Sequence, residues 1–151
     1  MLFCIYKYLF MIQRIQSLWL LLAAITLFLL FKFPFAGAKT QQGSLIELYA
    51  ASSLMMFIVA ILLGIASLVA IFLFKNRSSQ KKLIWLGILL DIVLIVMMYY
   101  QMEGLKENTS LQGQTFKMGA IFPVLYIIFM IMAYSGIRRD EKLIKSVDRL
   151  R

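Results

Sequence analysis

The stretch Lys75-Asn76-Arg77-Ser78-Ser79-Gln80-Lys81-Lys82 separates two long apolar runs and carries the densest positive charge ahead of the C-terminal tail. A short basic loop of this kind resists transfer across a bacterial or organellar membrane, so by the positive-inside rule it stays cytoplasmic. Every other orientation in the chain follows from that placement. The composition agrees with a membrane setting. The chain is 62% hydrophobic and 15% charged, whereas a soluble domain is roughly 45–50% apolar and about 25% charged. Its apolar residues come in runs of spanning length, so the 151 residues read as a single integral-membrane domain.

Beyond the basic stretch, a span is expected over about 83–102, with Trp85 at its inner interface and Tyr99 and Tyr100 at its outer one. Asp91 lies about eight residues into it, roughly 12 Å below the surface. An outer loop over about 103–117 follows. The next span covers about 118–137, with Pro123 in its first two turns, where a missing amide hydrogen costs least. The tail, 138–151, is strongly charged. Leu143, Val147 and Leu150 form a narrow apolar stripe on it, and Glu141 and Lys145 stand at pairing distance, so a short amphipathic cytoplasmic helix is expected.

On the other side of the basic stretch, the apolar run over about 47–74 exceeds what a perpendicular helix needs and has to tilt or project. Ser53, Ala60, Gly64 and Ser67 fall on one stripe of small residues, the expected helix-packing face, with Gly87 as a further small residue one turn before Asp91. A short outer loop precedes it. The first span is expected over about 17–35, with Trp19 as an interfacial anchor and Lys32 snorkelling near the outer end. Lys7, Arg14, the run 18–31 and Ala36-Gly37-Ala38 also imitate a cleaved signal peptide, but the run is long for one and three spans follow. Residues 1–10 are apolar yet too short to span, and Met11 is the expected start of translation.

Charge supports this arrangement. The inner segments hold twelve basic residues against three acidic ones, the outer segments four against three. The expected fold is therefore an all-α membrane protein: a four-helix transmembrane bundle of two antiparallel hairpins, with both termini cytoplasmic. The residues expected to touch anionic headgroups or a cytoplasmic partner are Arg14, Lys75, Arg77, Lys81, Lys82, Arg138, Arg139, Arg149 and Arg151. In so apolar a chain, a net charge of +9 points to lipid rather than to nucleic acid.

Chemistry concentrates on one residue. Asp91 is the sole acid well inside a span, and such a group is by default a functional hypothesis. Thr26 and Ser67 offer hydroxyls at matching depth. A structural role is weighed above a proton or cation site, because charged pathways usually show several ionisable groups. Enzyme readings lack parts. There is no histidine, no second carboxyl for an aspartyl pair, no phosphate-cradling glycine loop and no G-x-S-x-G. No cofactor or metal is expected. Cys4, the single cysteine, excludes an internal disulfide.

Both ends of the chain resemble a known family. Met11-Ile12-Gln13-Arg14-Ile15-Gln16 followed by Leu20-Leu21-Leu22-Ala23-Ala24, and the closing Ile137-Arg138-Arg139-Asp140-Glu141-Lys142-Leu143 with Ser146 and Asp148-Arg149-Leu150-Arg151, resemble small four-span membrane proteins of Bacteroidota. That family is known only as domain of unknown function four-two-nine-three. The resemblance implies an inner-membrane protein starting at Met11 with an uncleaved first span, and it carries no catalytic residues. The expected function is a non-enzymatic accessory or scaffold subunit of an inner-membrane assembly, with a membrane-protein partner or a homo-oligomer. The alternative is a small transporter or channel component using Asp91.

Overall fold

The computed structural model describes residues 2–39, 45–73, 76–108 and 112–148, with side chains over 16–39, 45–73, 76–104 and 115–142 and at Ser146. Lys75, Arg149 and Arg151 lie outside the described residues, as do the side chains of Arg14 and of the tail stripe Leu143, Val147 and Leu150. Four helices dominate: α1 (Leu2–Lys32), α2 (Leu54–Phe72), α3 (Arg77–Asn108) and α4 (Ile121–Asp148). Each packs on its two neighbours in the ring α1–α2–α3–α4, with the α1–α4 seam the most extensive. Three stretches are long and apolar enough to cross a membrane: Leu54–Phe72, Arg77–Gly104 and Met118–Lys142, beside a shorter apolar stretch, Gln16–Lys32.

Each helix buries one stripe and exposes the rest. On α4 the stripe is Tyr126, Met130, Ala133, Ile137 and Asp140; on α3 it is Gln80, Ile84, Ile88, Asp91, Leu94 and Met98. The opposite faces are apolar too, with Leu54 74%, Phe72 77% and Leu89 61% exposed. A water-soluble monomer rarely leaves contiguous apolar surface of this extent uncovered. Lipid is the solvent that these faces fit.

The structure corrects several sequence expectations. The fold is not all-α. Segments read as outer loops, and the start of the run over 47–74, form a three-stranded sheet of β1 (Ala36–Lys39), β2 (Leu45–Leu48) and β3 (Gln112–Phe116), in the order β2-β1-β3. Both pairings are antiparallel: Ala36 stands opposite Leu48 on one side and opposite Phe116 on the other. The 3₁₀ turns Ala50–Ser52 and Met118–Ala120 then lead into α2 and α4. Helix α2 thus begins at Leu54, not at 47, and Ser53 is its extended cap residue rather than a member of the packing stripe. The backbone of Glu47 is held in a strand because β1 offers it partners.

The basic stretch is also less of a loop than its charge implies. Arg77 onward is already helical, and just before it Asn76 N–H donates to Leu73 O at 3.0 Å. The tail is not a separate helix. Its backbone continues α4 to Asp148; no proline follows Pro123, and at the one glycine, Gly136, an added Cβ would stand 3.0 Å from Gln16 Cγ.

Both ends of the bundle are tied. At the sheet end, Phe35 N–H donates to Leu48 O, Lys117 N–H to Phe35 O and Gly119 N–H to Pro34 O, each at 2.9 Å. At the turn end, Gln16 Nε2 donates to Asp140 Oδ2, Gln80 Nε2 to Ala70 O at 2.9 Å, and Lys81 pairs with Glu141 at 2.8 Å.

Two predictions follow from these ties. A Cβ at Gly119 would lie 2.6 Å from Pro34 O and 2.7 Å from Phe33 O, whereas one at Gly64 would meet nothing within 4 Å. Overpacking against backbone costs typically 1–3 kcal/mol, so Gly119→Ala should melt well below the parent protein in detergent and Gly64→Ala should not. The second prediction concerns Glu47, whose carboxylate accepts a hydrogen bond from Lys117 and another from the Tyr49 hydroxyl at 2.8 Å. The lysine first, then the tyrosine, hold its pKa below the ordinary glutamate value. This contribution is complete above the unfolded pKa and is lost as pH falls through the lower folded one. Hydrogen exchange of the β1 amides, corrected for intrinsic rate, should therefore accelerate on acidification below about pH 4.3, and Glu47→Gln should flatten that dependence.

Candidate functional site

The polar centre of the bundle is built by α2, α3 and α4. Asp91 on α3 is fully buried, and neither of its carboxyl oxygens has a hydrogen-bond partner. Tyr126 on α4 is equally buried; its hydroxyl faces Ser67 and Asp91 without a completed hydrogen bond. Ser67 on α2 donates to Leu63 O at 2.6 Å, which leaves its oxygen able to accept. Three helices therefore each bring one buried polar side chain, a carboxyl, a phenol and an alcohol, to the bundle interior.

Gly87 makes the arrangement possible. It lies one turn before Asp91 on the same face, and a Cβ there would stand 2.9 Å from the Tyr126 hydroxyl oxygen and 3.0 Å from Met130 Cε. The missing side chain is the space into which the phenol reaches. Gly64 plays no such part. With Ala60 it borders a narrow apolar crevice against Leu27 and Phe31 of α1, so the small residues of α2 leave a gap there rather than a close backbone contact.

The sequence puts Ser67 at a depth matching Asp91 and Gly87 on the face of Asp91; in the structure Ser67 and Asp91 are buried and Gly87 meets Tyr126. Thr26 behaves differently: its hydroxyl turns back to Ala23 O of its own helix at 2.7 Å. Tyr126 was missed. The signal was available, because Tyr126, Met130, Ala133, Ile137 and Asp140 follow one another at helical spacing. Gln16, Gln80 and Asp140 were missed as well; each is buried at the turn end.

Among the basic residues, Lys81 is drawn into its pair with Glu141, so Glu141 is engaged across helices rather than only along α4. Arg77 is partly buried near Asp140, with Nη1 shielded from solvent. Lys82, Arg138 and Arg139 are exposed. Trp19 packs on Phe129 of α4 at 5.9 Å between ring centroids, inside the α1–α4 seam instead of free at an interface.

Leaving a buried polar group without a partner costs about 1–3 kcal/mol. Among the described residues no group of three His, Cys, Asp or Glu side chains could hold a metal ion. A family model described as Domain of unknown function (DUF4293) matches residues 12–150. Neither the curated proteins nor the solved structures contain a match.

A double-mutant cycle tests the packing of the polar centre. Gly87→Ala should destabilise the detergent-solubilised protein by about 1–3 kcal/mol. Tyr126→Phe should cost little alone and should recover much of that loss in the double variant. Strictly additive melting shifts would show that the phenol and Gly87 are not in contact.

Proposed function

As the chain belongs to the DUF4293 family, we propose that it is a four-span protein of a bacterial inner membrane, with both termini cytoplasmic, serving as a non-enzymatic accessory or scaffold subunit of a membrane assembly. The observation that carries this reading is the tied turn end. Gln16–Asp140, Gln80–Ala70 and Lys81–Glu141 fix the ends of all four helices relative to one another. On that frame stand exposed Lys82, Arg138, Arg139 and Lys142. A rigid cationic face with little extramembrane mass suits contact with headgroups or with an acidic surface of a partner.

Asp91 supports a second reading, a small transporter or channel component. Its specific support is the pair of buried, unpartnered carboxyl oxygens beside the Tyr126 hydroxyl. Four helices enclose little pathway, so this reading calls for an oligomer.

Purification in a mild detergent, followed by mass spectrometry, should recover a larger membrane protein in stoichiometric amount with the tagged chain. Recovery of the chain alone in every mild detergent would overturn the accessory role. Proton or cation flux in proteoliposomes that disappears with Asp91→Asn, at unchanged protein abundance, would establish the second reading in its place.

A further inference from the structure

Two grooves flank the bundle, and they differ in one respect that assigns a ligand. The groove at the sheet end, about 700 Å³, runs past Phe33, Phe116 and Lys117, and there the ammonium is already bound to Glu47. The groove at the turn end, about 430 Å³, is lined on α3 by Ser78, Lys81, Lys82, Trp85 and Leu89 and on α4 by Tyr134. Among the described residues no carboxylate lines it. Lys81 contacts both carboxylate oxygens of Glu141 at 2.8 Å, while Lys82 is exposed and has no carboxylate partner among the described residues.

We propose that this turn-end groove is a binding site for one anionic phospholipid, with the phosphodiester on Lys82 and Ser78 and an acyl chain lying past Trp85 towards Leu89. The proposal does not depend on the accessory role. It rests on the order of chemistry along α3. Ser78 to Leu89 covers about 16 Å at 1.5 Å per residue, and over that length the wall passes from hydroxyl and ammonium, through aromatic rings, to aliphatic carbon. Trp85 and Tyr134 meet edge to face at 6.0 Å between centroids, and such amphipathic rings favour headgroup depth. A phospholipid has the same gradient.

The charge selects among headgroups. A choline or ethanolamine group would bring a cation to a groove whose lining has no anion to receive it, and Glu141 is already engaged by Lys81. A headgroup whose phosphate charge is not cancelled leaves Lys82 paired. A single basic residue near an anionic lipid surface contributes about a five-fold preference.

The chain has two tryptophans, so Trp19→Phe leaves Trp85 as the reporter. In detergent micelles, phosphatidylglycerol with brominated acyl chains should quench Trp85 at about one-fifth the mole fraction that brominated phosphatidylcholine requires. Lys82→Gln should bring the two lipids level, whereas Lys32→Gln, at the opposite end of the bundle, should leave the preference intact. Equal quenching by the two lipids in the Trp19→Phe protein would overturn the proposal. So would a preference that survives Lys82→Gln. Should Lys82→Gln fail to fold, rising salt in the Trp19→Phe protein reads the same attraction: a preference undiminished at about 0.5 M salt would equally overturn it.

Discussion

A chain in hydrocarbon has no water to complete its amide hydrogen bonds, and this constraint shapes the whole molecule. Within α1 to α4 the helical ladder meets it. The harder problem lies where the chain leaves one helix and enters the next, because there the ladder ends. Strand β1 solves it for two connections at once. Its one edge takes β2, from the α1–α2 connection, and its other takes β3, from the α3–α4 connection. Phe35 beneath it is fully buried; its N–H donates to Leu48 O and its carbonyl accepts from Lys117 N–H. The two helical hairpins are thereby joined by backbone bonds rather than by side chains.

The opposite end is closed by different means. The α2–α3 turn is too short to reach the other helix pair, so side chains make the connection. Gln80 reaches back to Ala70 and secures the turn itself; Gln16 and Lys81 then reach Asp140 and Glu141 on α4. Adjacent positions on α4 thus hold α1 and α3. Because these ties are polar and lie at the rim of the apolar core, they specify the pairing of helix ends more than they drive association, which in lipid comes from packing. The α1–α4 seam shows that packing plainly, with Trp19 stacked on Phe129 and Gly136 admitting Gln16.

The helices were legible in the sequence because apolar runs of spanning length have few other structures open to them. The sheet was not. Ala36-Gly37-Ala38 has none of the branched or aromatic side chains that mark strands, and Leu45 to Leu48 merges into the apolar run that follows it. Pairing between strands 70 or more residues apart is not a local property. The polar centre was half legible. Asp91 announces itself by its charge, whereas Tyr126 is masked by the apolar residues on either side of it, and only its place on the α4 stripe points inward. The basic stretch was read correctly as polar but not as the first turns of α3, since charge fixes which residues avoid lipid and not where a helix begins.

The polar centre and the ties at the bundle ends pull in opposite directions. Partnered groups at the ends, such as Gln80 on Ala70, satisfy atoms that would otherwise be stranded, and so they hold the fold. Asp91 and Tyr126 do the reverse: their oxygens lie in the deepest layer with no completed bond. A leucine at 91 would pack that layer without desolvating any carboxyl, and structure alone would favour it. Gly87 sharpens the point, because a glycine inside a helix is itself destabilising by roughly 0.5–1 kcal/mol against alanine, and here it creates room for a hydroxyl rather than for a backbone. Two local losses therefore converge on one small volume. Sites where local rules fail together are where a fold tends to hold its chemistry, and in this chain they fail together between α2, α3 and α4 rather than at its charged rim.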